Sequence, residues 1–168
     1  MTRPDPMPIR RACPQDLARL TEIYNEAIAE GGFTGDLDPF SVEARRAWFD
    51  DYAEPYAIFV REAAGGIEGY VTLSPYRKGR RAFAASCEIS YYVAAAHRGA
   101  GAGRALVAHA LEAARARGFR TVIAILLGCN ARSVGLLARF GFVECGRIPA
   151  AATLAGEDVD HVFMSRPA

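Results

Sequence analysis

"CEISYYVAAAHRGAGAGRALVAHALEAARARGF", residues 87–119, joins a β-patterned run to a helix-patterned run through three glycines at alternate positions. The first run, ending at Val93, is rich in β-branched and aromatic residues. Beyond the glycines, Leu106, Val107, Ala110, Leu111 and Ala114 recur at helical spacing, and Gly118 supplies a stop. A strand that feeds a helix through Gly99, Gly101 and Gly103 leaves unpaired backbone N–H groups at the helix start. With little side chain in the way, those groups and the helix dipole can meet an anion, and Arg98 adds a positive charge. A phosphate or pyrophosphate is the natural guest; a flexible connector is the alternative. The stretch is not a P-loop, because Arg104-Ala105 stands where Lys-Ser/Thr would follow. Nor is it a good dinucleotide fingerprint, since the spacing is GxGxG and it falls late in the chain.

Upstream, a short strand near Ile9 precedes "CPQDLARLTEIYNEAIAEGG", residues 13–32. Pro14 suits a first helical position, Asp16 suits the positive end, and Gly31-Gly32 end the helix. Ser41 is the expected cap of a second helix, "VEARRAWFDDY", with Trp48 and Phe49 on its apolar side. "YAIFVRE" and "IEGYVTLS" read as an antiparallel pair across "AAGG", and "PYRKGRRAFAAS" as a long basic loop. Downstream, "TVIAILL" is a strand covered on both faces, "NARSVGLLARF" a short helix, and "GFVECGRI" and "DVDHVFMSR" closing strands. That order predicts an α/β (α+β) protein: a mixed, mostly antiparallel central sheet with helices on both faces.

The 168 residues fit one domain, taken as 9–166 behind a flexible tail at 1–8. A composition of 51% hydrophobic and 23% charged residues is that of a globular protein. Twenty basic and 19 acidic side chains nearly cancel, which removes the electrostatic case for nucleic acid. No apolar run approaches the ~18 residues of a membrane span, so no membrane partner is expected. "MTRPDPMP" lacks the apolar core of a signal peptide, and a cytoplasmic location is expected. Cys13, Cys87, Cys129 and Cys145 show no CxxC spacing and are read as small buried thiols. The three histidines show no ligand spacing with them, so no metal site is expected.

"RGAGAG" resembles the Q/R-x-x-G-x-G/A signature of the GNAT superfamily of acetyl-CoA-dependent N-acetyltransferases. "LTEIYNEAI", "SPYR", "CEISYYV", "NARSVGLLARFGF" and "DVDHVFM", in that order, resemble its phosphinothricin/methionine-derivative subfamily from about Ile9 to Met164. The resemblance implies the GNAT fold, acetyl-CoA as cosubstrate, no metal, a small-molecule amine as acceptor and a homodimer. It implies that Arg98, Gly99, Ala100, Gly101, Ala102 and Gly103 cradle the coenzyme pyrophosphate. The strand edge at Tyr91, Tyr92 and Val93 would pair with the pantetheine arm, and Asn130 with Ser133 would contact the coenzyme. A helix cap is an equally compatible use of Asn130.

Acetyl transfer needs a neutral amine, and a free α-amine titrates near a pKa of about 8. Glu88 is the expected general base: a carboxylate in an otherwise apolar strand, at the position where the subfamily carries its Glu. Tyr76 and Arg77 match the subfamily's substrate loop, and an Arg fork suits a carboxylate or phosphinate. Three departures stand out. Leu137 replaces the subfamily's His in "S-x-x-L-H" and leaves the proton donor unassigned, with Tyr92 a possible stand-in. "GGFTGDLDPF" and "TLAGEDVD", the latter placing Asp158 where Trp is usual, replace two substrate-side stretches. The alternatives are a protein N-terminal acetyltransferase and an acetyl-CoA-binding module without turnover.

Overall fold

The computed structural model describes residues 8–168, so all but the last residue of the expected tail lies outside the described residues. The chain runs β1 (Ile9–Arg11), α1 (Leu17–Glu30), α2 (Val42–Asp50), β2 (Ala57–Ala63), β3 (Gly66–Pro75), β4 (Ser86–Val93), α3 (Ala102–Ala116), β5 (Thr121–Leu127), α4 (Ala131–Arg139), β6 (Val143–Leu154) and β7 (Glu157–Pro167). These strands form one seven-stranded sheet in the order β1-β2-β3-β4-β5-β7-β6. Every neighbouring pair is antiparallel except β4 and β5, which the α3 crossover makes parallel. The mixed, mostly antiparallel architecture is the one the sequence order predicts.

Local chemistry explains where elements start and where expectation slipped. Pro14 opens a 3-10 turn, Pro14–Asp16, and α1 begins only at Leu17. Asp16 accepts a hydrogen bond from the Cys13 N–H at 2.7 Å and pairs with Arg10 at 2.7 Å, which holds that first turn tight. Gly31 ends α1 at a φ of 77°, in the left-handed region. Ser41 caps α2 as expected, its Oγ accepting from the Ala44 N–H at 3.1 Å. The closing hairpin is longer than expected, because Ala155 and Gly156, at φ 50° and 85°, turn the chain between β6 and β7. Of the cysteines only Cys87 is buried, and burial pushes its thiol up to about 12; Cys129 and Cys145 are exposed, contrary to expectation.

Strand alternation divides β4 between two faces. Cys87, Ile89, Tyr91 and Val93 join the core under α3, with Leu106, Val107, Ala110 and Val122. Tyr92 joins the cluster under α1 and α2, with Leu20, Ile23, Val60 and Tyr70. Each such buried aliphatic side chain is worth about 1.5–3 kcal/mol, so both layers anchor the sheet. Glu88 and Ser90 share the face of Tyr92. One departure from regularity matters for function. The β4–β5 pairing covers only Ser86–Glu88 against Thr121–Ile123, while β3 follows β4 as far as Val93 and β7 follows β5 as far as Leu127. Past Glu88 the two central strands separate. Ile89–Val93 therefore keep the N–H and C=O groups of one edge without a strand partner.

Candidate active site

A cavity of 690 Å³ fills the wedge between the parting strands. It is lined by Tyr91, Tyr92 and Val93 of β4, by Arg98, Gly99, Gly101, Ala102 and Gly103, and by Asn130 and Ser133 at the start of α4. All of the expected coenzyme contacts except Ala100 thus line one cavity. Gly99 and Gly101 have φ of 82° and 88°, a conformation that favours glycine, and an added Cβ at either would meet no heavy atom within 4 Å. Their need is conformational: the loop must turn so that the first N–H groups of α3 face the cavity. No side chain among the described residues caps that helix end. A Cβ at Gly103 would lie 3.4 Å from the end of the Leu136 side chain, an ordinary van der Waals contact.

Arg98 lines this wall, yet its charge is engaged within the protein. Its Nε donates to the Val93 carbonyl at 3.0 Å, Nη1 pairs with Glu30, and the guanidinium lies 4.8 Å from the Phe33 ring centroid. It braces the end of α1 and the loop after it against the end of β4. Arg104, Arg132 and Arg139 also line the cavity and make no ion pair among the described residues. The sequence reading missed all three, although each lies within or next to the stretches it singled out. Asn130 is 8% exposed and does cap α4, its Oδ1 accepting from the Ser133 N–H at 3.1 Å.

Glu88 stands at the vertex, paired across the sheet with Ser74 and Ile123. Burial alone pushes its carboxyl above the ordinary glutamate range. Its charge also reaches Tyr52, which belongs to a second pocket. That pocket, of 330 Å³, lies under α1 and α2 and takes its walls from Tyr24, Phe40, Arg45, Trp48, Tyr52, Tyr70 and Tyr92, with Thr72, Ser74 and Ser90 among its floor groups. Tyr92 lines both spaces. Its phenol is pushed well up by burial and by the nearby Tyr24 and Tyr70 hydroxyls, so it stays protonated. The loop over this pocket is tied to α1: Asn25 exchanges two 2.9 Å hydrogen bonds with the backbone of Phe40, and the Tyr24 hydroxyl bonds Thr34 and Asp36.

The remaining expected residues lie elsewhere. Tyr76 and Arg77 sit on the turn after β3, with Arg77 exposed and 5.3 Å from the Tyr76 ring centroid; neither lines the pocket. Asp158 is at the β6–β7 hairpin, 3.4 Å from the Thr153 hydroxyl, away from both spaces. Leu137 is 0% exposed in the core under α3 and has no proton to offer. The pocket's aromatic wall was missed because Trp48 reads as ordinary core. The available signal was Arg45, a charge three residues before Trp48 on the apolar side of α2.

Comparison with known proteins accounts for this arrangement. Residues 18–142 match the acetyltransferase (GNAT) family. The phosphinothricin N-acetyltransferase of Streptomyces coelicolor is 35% identical over 163 residues, 95% of each chain. The L-methionine sulfoximine/L-methionine sulfone acetyltransferase of Pseudomonas aeruginosa is 35% identical over 158 residues, 93% of this chain and 91% of that one. A phosphinothricin acetyltransferase from Sinorhizobium meliloti, crystallised in complex with AcCoA, superposes with a TM-score of 0.90 at 31% identity, covering 95% of this chain and 87% of that one.

Proposed function

The chain belongs to the acetyltransferase (GNAT) family and is an N-acetyltransferase that uses acetyl-CoA; from that premise we propose that it acetylates the α-amine of a small amino-acid-like acceptor of the phosphinothricin or methionine sulfone type. The observation that carries this is the position of Glu88. One half-buried carboxylate stands where the wedge begins; it lines neither space itself, and Ser90 of the small pocket and Tyr91 of the large cavity follow it two and three residues along β4.

The wedge suits the coenzyme. The loop Arg98–Gly103 and the free N–H groups opening α3 hold the pyrophosphate, with Arg104, Arg132 and Arg139 as the available cations. The exposed edge at Tyr91–Val93 pairs with the pantetheine amides, as an added strand would. Asn130 and Ser133 close the other wall. Acetyl-CoA supplies the activated acyl group; the rest is done by the chain. Glu88 takes the proton of the attacking amine, directly or through a water, as the new N–C bond forms and the C–S bond breaks. Its raised pKa makes it a better base than a solvated glutamate. A backbone N–H on the β4 edge polarises the thioester carbonyl. The thiolate needs no dedicated donor, since a thiol pKa of about 8.5 lets it leave near neutral pH, and the protonated Tyr92 lines both spaces. Tyr76 and Arg77 line neither space; their part in meeting the acceptor's α-carboxylate is carried over from the family resemblance alone. A homodimer is carried over from the family resemblance.

The test is thiol release from acetyl-CoA with a panel of amino acids that includes phosphinothricin and methionine sulfone. Turnover with one of these is expected. Coenzyme binding without thiol release for any amine would sink the proposal.

A further inference from the structure

Arg45 is a buried cation without a counter-ion. It is 6% exposed, and its Nη1 is sealed from solvent with no hydrogen-bond partner among the described residues. No carboxylate forms an ion pair with it among those residues. Asp36, the acidic side chain of the pocket wall, is held by the Tyr24 hydroxyl instead. What surrounds the guanidinium is aromatic: its Cζ lies 3.9 Å from the Trp48 centroid, 4.2 Å from Tyr24 and 5.8 Å from Phe40. Those rings offset part of the desolvation of the charge, but a ring face does not satisfy the N–H donors that point past it. Beside it the Tyr70 hydroxyl is also buried and unpartnered, and Arg45 is close enough to oppose the upward push of burial on that phenol. The two lie within reach of each other, neither has any other partner among the described residues, and both line the same small pocket. Buried polar groups are normally satisfied, so a pair left open at a pocket wall marks a ligand's place.

The sheet sets which part of a ligand. The floor is a ladder of three cross-strand pairs that share a face: Tyr70 with Tyr92, Thr72 with Ser90, and Ser74 with Glu88. Four residues of strand separate the first rung from the last, roughly 13 Å at about 3.3 Å per residue. Arg45 and Tyr70 line the pocket at one end; Glu88, which does not line it, lies on the last rung at the other. Side chains reaching in from both ends shorten that span, so an acceptor whose amine is turned toward Glu88 has its far end, not its α-carboxylate, toward Arg45.

We infer that Arg45 and Tyr70 bind the oxygen-bearing group at the end of the acceptor's side chain, selecting amino acids that carry a phosphinate, sulfone or carboxylate there. The inference rests on the assignment of the small pocket as the acceptor site. The guanidinium fork donates to two oxygens of such a group, and the Tyr70 hydroxyl to one of them. An apolar side chain of the same length leaves both donors unmet, which is where strong discrimination originates.

The experiment compares methionine sulfone and phosphinothricin with norleucine, an apolar side chain of similar length, and with methionine sulfone α-carboxamide. Rates by thiol release and affinities by calorimetry in the presence of coenzyme A are measured for wild type, Arg45→Met and Tyr70→Phe. Wild type is expected to favour the oxygen-bearing acceptors over norleucine by about 100-fold in kcat/KM. Arg45→Met brings that ratio to near unity while the ratio of acid to α-carboxamide stays as it was. Tyr70→Phe, which deletes one hydroxyl and keeps the ring, lowers the side-chain preference by about 5–10-fold. The inference is overturned if the side-chain preference survives in folded Arg45→Met, or if the acid-to-carboxamide ratio collapses instead. Should Arg45→Met fail to fold, an unchanged preference in Tyr70→Phe overturns it. If no amine is acetylated at all, the proposed activity falls by itself, and the calorimetric ratios still decide whether Arg45 reads the side chain.

Discussion

In the wedge between β4 and β5 most of the contacts on offer are backbone: an unpaired strand edge, a glycine loop and the free N–H groups that open α3. In the small pocket they are side chains, drawn from α1, α2, β3, β4 and the loop over α1. A backbone site serves one invariant guest and depends on main-chain geometry. A side-chain site can be changed one residue at a time without disturbing the fold. The two meet at Tyr92, with Glu88 nearby at the last rung of the β4–β5 pairing, so the division can be broken from either side.

The largest effect is expected at the proposed base. Glu88→Gln removes the base and should lower kcat by about 10³-fold, within the range for general base catalysis, while leaving the acetyl-CoA dissociation constant unchanged. The sign of the pH dependence follows from burial. The base works deprotonated, and its pKa lies above the ordinary value of about 4.3, so wild-type kcat/KM rises with pH through a limb above that value. The mutant should lose this limb. Burial also makes the charged carboxylate a cost to the fold: stability falls as pH rises from the unfolded to the folded pKa of Glu88. A thermal melt at neutral pH should therefore find Glu88→Gln no less stable than wild type. A wild-type rate in that mutant would remove Glu88 as base.

Gly101→Val probes the backbone side alone. The new Cβ meets no neighbour, but a φ of 88° is strained for a β-branched residue, at about 1–2 kcal/mol. The loop should relax away from the coenzyme and weaken acetyl-CoA binding by about 10–100-fold, read by calorimetry. Affinity for the acceptor should change little. An unchanged coenzyme affinity would show that the loop does not hold the pyrophosphate.

The same division explains what the sequence could tell. The wall proposed for the coenzyme is assembled largely from two contiguous stretches, 91–104 and 130–140, and a local motif carries its own geometry: three glycines, a strand before and a helix after. Element order and strand alternation gave the sheet, and Glu88 was visible as a lone carboxylate in an apolar strand. The wall proposed for the acceptor has no such contiguity. Tyr24, Arg45, Tyr52 and Tyr70 are spread over 47 positions and meet only through the packing of α1 and α2 on the sheet. Arg77 was singled out because it lies in a recognisable loop, whereas Arg45 has no motif around it. The separation of β4 from β5 was invisible for another reason: no breaker residue stands between Glu88 and Val93 to mark it.

Asn130→Ala should touch both the fold and the coenzyme side. The cap of α4 is lost, at about 1 kcal/mol, and the cavity wall it forms loosens. A fall in melting temperature together with a few-fold rise in the KM for acetyl-CoA is expected. Ser133→Ala, which leaves the cap acceptor in place, should keep the stability and shift only the KM. Equal effects of the two substitutions on the melt would contradict this assignment of roles.

The smallest effect is expected at Ser41, which touches neither space. Its hydroxyl caps α2, and α2 presents Arg45 and Trp48 to the small pocket. Ser41→Ala should cost about 0.5–1 kcal/mol of stability by loss of the cap. Fraying of that first turn would loosen Arg45, four residues beyond the cap. The KM for the acceptor should then rise by a small factor while the KM for acetyl-CoA stays fixed, because no contact of α2 reaches the wedge cavity. Steady-state titration of each substrate separates the two constants. If both rose together, the two sides would be coupled through the sheet, and the division between a backbone half and a side-chain half would fail at its weakest point, the shared ring of Tyr92.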